Sequence, residues 1–137
     1  MSVIDTLITN RTGGYYGIDD LNRVGDAMYY IAERLRSCGL DITVDPRTDW
    51  VLTDQVNVST ANLYLRNLQK IRDALTLFVT TPDVPDGESH FNAKEANDIE
   101  KILIDVEQLI TNMIETLDAG WALASAYTGL YAKEATT

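Results

Sequence analysis

The sequence predicts a mainly α protein: a three-helix bundle with a short strand after the first helix and extended segments at both ends. Three observations carry this. Apolar residues recur at helical spacing in three long stretches, and runs of breakers separate those stretches. Two of the helix starts are also written on one template, Tyr16-Gly-Ile-Asp-Asp20-Leu-Asn22-Arg-Val24 and Phe91-Asn-Ala-Lys-Glu95-Ala-Asn97-Asp-Ile99. Each places an aromatic residue before a capping-type residue, then an acid, then an Asn beside the first apolar positions. An aromatic ahead of the cap can staple the incoming chain, and an acid in the first turn favours the helix dipole.

Taken in order, residues 1–15 read as an extended N-terminal arm, with alternation over Val3–Ile8 and a turn at Gly13-Gly14. Residues 16–120 form the bundle. In its first helix, Leu21, Val24, Met28, Ile31 and Leu35 fall in steps of three and four, the period of a packed seam. Gly25 beside that seam predicts close approach of another helix, since a mid-helix Gly otherwise costs about 1 kcal/mol. Gly39 ends the helix. Leu40-Asp-Ile42-Thr-Val44 alternates as a strand, and Asp45-Pro46 stops it. Ser59 or Thr60 is expected to cap the second helix, which runs to about Val79 with Leu65, Leu68, Ile71, Leu75 and Phe78 on one side.

Pro82, Pro85 and Asp86-Gly87 make the next connection a loop. Asn92 and Glu95 have capping-box spacing. The third helix carries Ile99, Ile102, Leu103, Val106, Leu109, Ile110, Met113 and Leu117, with Gly120 as its end. Residues 121–137 read as a small-residue, aromatic tail.

The chain of 137 residues has 21 acids against 11 bases, a net charge of -10. That balance argues against nucleic acid and anionic membranes as partners. No window approaches the length of a membrane span, and the N-terminal residues carry no signal-peptide pattern. No catalytic inventory emerges. Cys38 and His90 are single and far apart in sequence, and Gly13-Gly14 is not a phosphate loop. Asp83, Asp86 and Glu88 fall short of a calcium loop. Asp98, Glu100, Asp105 and Glu107 are expected on the solvated face of the third helix, opposite its seam. The reading is a non-enzyme with no cofactor and no metal.

Asn22, Asn92 and Asn97 are assigned as structural caps, Asn22 and Asn97 tying the chain that enters their helices. Trp50, in Arg47-Thr-Asp-Trp50, is expected to cover an open end of the bundle or to anchor a partner. Trp121, Tyr127 and Tyr131 are candidate interface aromatics.

These residues resemble a recurrent helical module of tailed-phage and prophage tail, baseplate or tail-fibre proteins of Gram-positive bacteria. The matching pieces are Ile8-Thr-Asn-Arg-Thr12, Tyr16 to Val24, Arg47-Thr-Asp-Trp50, Leu65-Arg-Asn-Leu68, Pro82 to Pro85, Glu95-Ala-Asn-Asp-Ile-Glu100 and Asn112-Met113. The resemblance implies a virion structural protein, made in the host bacterial cytoplasm. It would act by contacts with other virion proteins and with copies of itself as a homo-oligomer. It implies no catalytic residues. The alternative is an acidic cytoplasmic phage-encoded adaptor, chaperone or inhibitor that binds a basic protein.

Overall fold

The computed structural model describes residues 2–13, 16–54, 56–86 and 91–135, with side chains described up to residue 116. Three helices, α1 (Ile18–Ser37), α2 (Val58–Asp73) and α3 (Ala93–Ala135), pack against one another. The α1 seam, Leu21, Val24, Met28, Ile31 and Leu35, is buried throughout. It meets Leu65, Leu68 and Ile71 of α2 and Ile99, Leu103, Val106 and Ile110 of α3 in one core.

Each helix start follows from its sequence. The Asp20 carboxylate of α1 accepts the Gly17 N–H at 3.1 Å. In α3, Asn92 Oδ1 accepts the Glu95 N–H at 2.8 Å, and Glu95 Oε1 accepts the Asn92 N–H at 3.0 Å. The two template aromatics then meet: the Tyr16 and Phe91 rings pack edge-to-face with centroids 5.5 Å apart. The cap of α2 is Asn57, not Ser59 or Thr60. Its Oδ1 accepts the Thr60 N–H at 2.9 Å, and Thr60 Oγ1 accepts the Asn57 N–H in return. At the end of α1, Gly39 adopts φ 90°, and the Leu40 N–H reaches back to the Leu35 carbonyl.

Several expectations need correction. The second helix stops at Asp73 rather than near Val79. Thr76, Phe78, Val79 and Thr80 are poor helix formers, and Arg72 instead draws the loop in by donating to the Pro82 and Thr81 carbonyls. The C-terminal segment is not extended, because α3 continues through Gly120 to Ala135. The alanines beyond Gly120, with Leu123 and Leu130, outweigh the two glycines, Gly120 and Gly129. The N-terminal arm is not extended throughout either. Val3–Thr6 form a 3-10 turn capped by Ser2 and Asp5, and Val3, Ile4 and Leu7 pack on the core.

The short strand after α1 is not seen. Burial over Leu40–Val44 alternates as it does in extended chain, with Ile42 and Val44 buried while Asp41 and Thr43 face outward. Alternation therefore predicted the facing of these residues correctly. No other described segment pairs with the stretch, so it has no ladder. It is held by side chains of both flanking helices: Arg36 donates to the Ile42 carbonyl at 2.9 Å, and Asn67 accepts the Asp45 N–H at 3.1 Å. Gly25 likewise receives a connecting segment, not a helix. A Cβ there would lie 2.9 Å from Thr48 Cγ2 and 3.1 Å from the Arg47 carbonyl oxygen.

Candidate functional site

The long-range polar contacts concentrate where the N-terminal arm and the α1–α2 connection lie on the bundle. Asn22 and Asn97 do not cap the helices they help to start. Each grips one distant residue through both of its main-chain groups. Asn22 Oδ1 accepts the Trp50 N–H at 2.8 Å while its amide donates to the Trp50 carbonyl at 2.9 Å. Asn97 treats Arg11 identically, at 3.0 and 2.9 Å. An Asn amide presents a donor and an acceptor side by side, so it imitates one rung of an antiparallel ladder. Asn67 extends the scheme to α2, accepting from Asp45 and donating to the Leu63 carbonyl at 3.2 Å. Sequence reasoning missed Asn67, although an Asn next to the Leu68 seam position carries the same signal as the other two.

Around the Asn97 clamp lies an ionic cluster. The Glu100 side chain is 0% exposed. Its Oε1 accepts Arg23 Nη1 at 2.6 Å and the Ile8 N–H at 3.1 Å, and its Oε2 meets Arg11. Asp20 Oδ1 joins the two guanidinium groups, at 2.8 Å from Arg23 and 3.2 Å from Arg11. Arg23 also donates to the Thr6 carbonyl at 2.9 Å, which ties the arm to α1 as well as α3. Two cations face two anions, so the cluster is neutral. Burial works against the Arg23 charge, yet its hydrogen bonds to Glu100 and Asp20 hold the guanidinium pKa above its ordinary value.

Beneath the cluster, the Tyr16 and Tyr64 hydroxyls share a hydrogen bond at 2.8 Å. Burial pushes both phenols up, Tyr16 despite that bond.

Glu100 and Asp105 therefore do not sit on a solvated face. Asp105, 3% exposed, accepts the Thr81 hydroxyl at 2.6 Å and pairs with Lys101. Glu107 is bound by Arg34 at 2.8 Å, whereas Asp98 meets Lys94 near solvent, as expected. The physical reason is that α3 is covered on more than one side. The arm and the α2–α3 loop lie over flanks that a single apolar stripe leaves to water. Arg23, Arg11 and the Ile8 N–H hold Glu100, and the two tyrosines are buried beneath, so the arrangement fastens the arm to α1 and α3.

Trp50 is 7% exposed and covers the bundle, with the Arg47 guanidinium 4.3 Å above its ring. Asp49 and Asp54 each pair with Arg47 at 2.7 Å. The neighbouring Val51, Leu52, Val58 and Leu63 are exposed, Leu52 at 92%. The side chains of Trp121, Tyr127 and Tyr131 lie outside the described residues, on a backbone that is helical. His90 lies outside them as well, and Cys38 is half-buried. Among the described residues, no group of His, Cys, Asp and Glu is arranged to hold a metal ion, and no helix is long and apolar enough to cross a membrane.

No protein-family model matches the chain, and neither a curated protein nor a solved structure does.

Proposed function

We propose that this protein is a non-enzymatic structural component of a tailed-phage virion, associated with the tail, baseplate or fibre, that acts by assembly contacts with copies of itself and with neighbouring virion proteins. The observation that carries the reading is α3. It runs for 43 residues, against 20 in α1 and 16 in α2. Its fully buried positions among the described side chains end at Ile110. From Ala119 to Ala132 the helix then carries no charged residue, in a chain of net charge -10. An uncharged helical segment rich in Ala, Leu and aromatic residues gains most by packing against another surface. Copies of the same segment around a symmetry axis supply such a surface without charge repulsion.

The ionic cluster supports a structural role, and the resemblance in the sequence supports the particle. Mass spectrometry of purified phage particles from a lysogen encoding this chain tests the reading. The protein should be present at a fixed ratio to the tail proteins through successive density gradients. Loss of the protein to the soluble fraction at every stage of assembly would overturn it.

A further inference from the structure

We infer that the extended stretch Leu40–Asp45 is an acceptor edge for a strand from another polypeptide, and that the partner segment carries basic side chains. The stretch has the form of a strand, with alternating burial, and among the described residues it has no strand beside it. In extended chain the N–H and C=O of one residue share an edge, and the next residue uses the other edge. Lys70 donates to the Thr43 carbonyl at 3.3 Å and Asn67 accepts the Asp45 N–H, so the odd-numbered residues turn their main-chain groups toward α2. On that edge the Asp41 N–H and C=O and the Thr43 N–H find no partner among the described residues.

An open groove of about 490 Å³ runs beside that edge, lined by Asp41, Thr43, Lys70, Asp73 and Ala74 among others. An extended segment laid there would complete a two-stranded ladder, the mode in which main-chain hydrogen bonds supply affinity. Charge selects the occupant. Asp41 and Asp45 face outward along the stretch and Asp73 stands across the groove, against Lys70 in the groove and Arg36, which is bonded to the Ile42 carbonyl on the other edge. A partner strand with lysine or arginine at alternate positions complements that row, whereas an acidic one is repelled. The site is separate from the charge-free part of α3 and stands whether or not that helix assembles.

The probe is an acetylated, amidated hexapeptide of alternating lysine and valine carrying a fluorophore, titrated by anisotropy into the full chain. Two analogues are N-methylated, one at the valines and one at the lysines, and a third replaces lysine with glutamate. The parent should bind and slow amide exchange at Asp41 and Thr43. One methylated analogue should lose roughly tenfold or more in affinity while the other keeps it, since a strand uses one edge at a time. The glutamate peptide should fail to bind, and D41K should weaken the parent. T43P, with its fold checked by circular dichroism, should abolish the contact. Equal binding by all three basic peptides, or unchanged exchange at Asp41 and Thr43, would overturn the inference. So would a fall in the mass of the chain on T43P, which would assign the edge to a second copy.

Discussion

Neutralising Glu100 is the sharpest perturbation of the fold. In Glu100→Gln the carboxylate facing Arg23, Arg11 and the Ile8 N–H becomes an amide of similar shape. One oxygen acceptor survives, but the new NH₂ faces a guanidinium, and two cations are left with Asp20 alone. Breaking a buried pair from one side costs about 3–5 kcal/mol. Arg11 and Arg23 keep 13% and 22% of their side-chain surface in water, which softens the loss toward the lower bound.

About 3 kcal/mol corresponds to roughly a 10 °C fall in Tm for a chain of this size. Thermal and urea unfolding followed by circular dichroism measure it. The cycle through Glu100→Met, Arg23→Met and the double variant Glu100→Met/Arg23→Met should show coupling of more than about 1 kcal/mol, because an apolar pair removes the stranded charge. A change below about 1 kcal/mol in Glu100→Gln would refute the claim that this cluster fastens the arm.

Three further outcomes are expected. Asn97→Ala removes two hydrogen bonds to the Arg11 backbone and should destabilise by about 1–3 kcal/mol, with faster amide exchange along the arm. An unchanged Tm would remove the clamp from the account. Gly25→Ala should destabilise although alanine favours helix, because the new methyl meets Thr48 and the Arg47 carbonyl; a rise in denaturation midpoint would contradict that packing.

The third outcome concerns alkaline pH. Of seven tyrosines, Tyr16 and Tyr64 have folded pKa values above the ordinary 10.0. The native state therefore keeps protons that the unfolded chain releases, and stability is full below pH about 10 and falls above it. Ultraviolet titration should find two phenols that ionise only with unfolding.

Periodicity made the three seams legible, and the repeated start template marked Tyr16 and Phe91 as staples of their helix entries, although not that the two rings meet each other. The misplaced carboxylates share one cause: a periodic stripe reports only one face of a helix. Glu100 and Asp105 are charged residues off the stripe, yet other segments cover them, and no local pattern encodes a cover that comes from 92 residues away, as the Ile8–Glu100 bond does. The alternation of Leu40–Val44 reported facing correctly, but pairing depends on a neighbour that the pattern does not specify. The same limit explains Gly25, where close approach was legible and the approaching segment was not. At the candidate site Asn22, Asn97 and Trp50 stood out in the sequence, whereas Asn67, Arg11 and the pairing of each asparagine with its distant residue did not. The run past Gly120 shows a separate limit, since isolated glycines such as Gly120 and Gly129 are weak punctuation among good helix formers.

The central claim is that α3 joins copies of the chain through its uncharged stretch. Light scattering coupled to size exclusion, on the full chain and on Ala124→Glu with Tyr127→Lys, tests it most directly. The native chain should elute as a multiple of 15.3 kDa, and the charged variant as a single chain with unchanged helicity. A native chain that stays monomeric across the accessible concentration range, or a charged variant that assembles as well as the native protein, would contradict it.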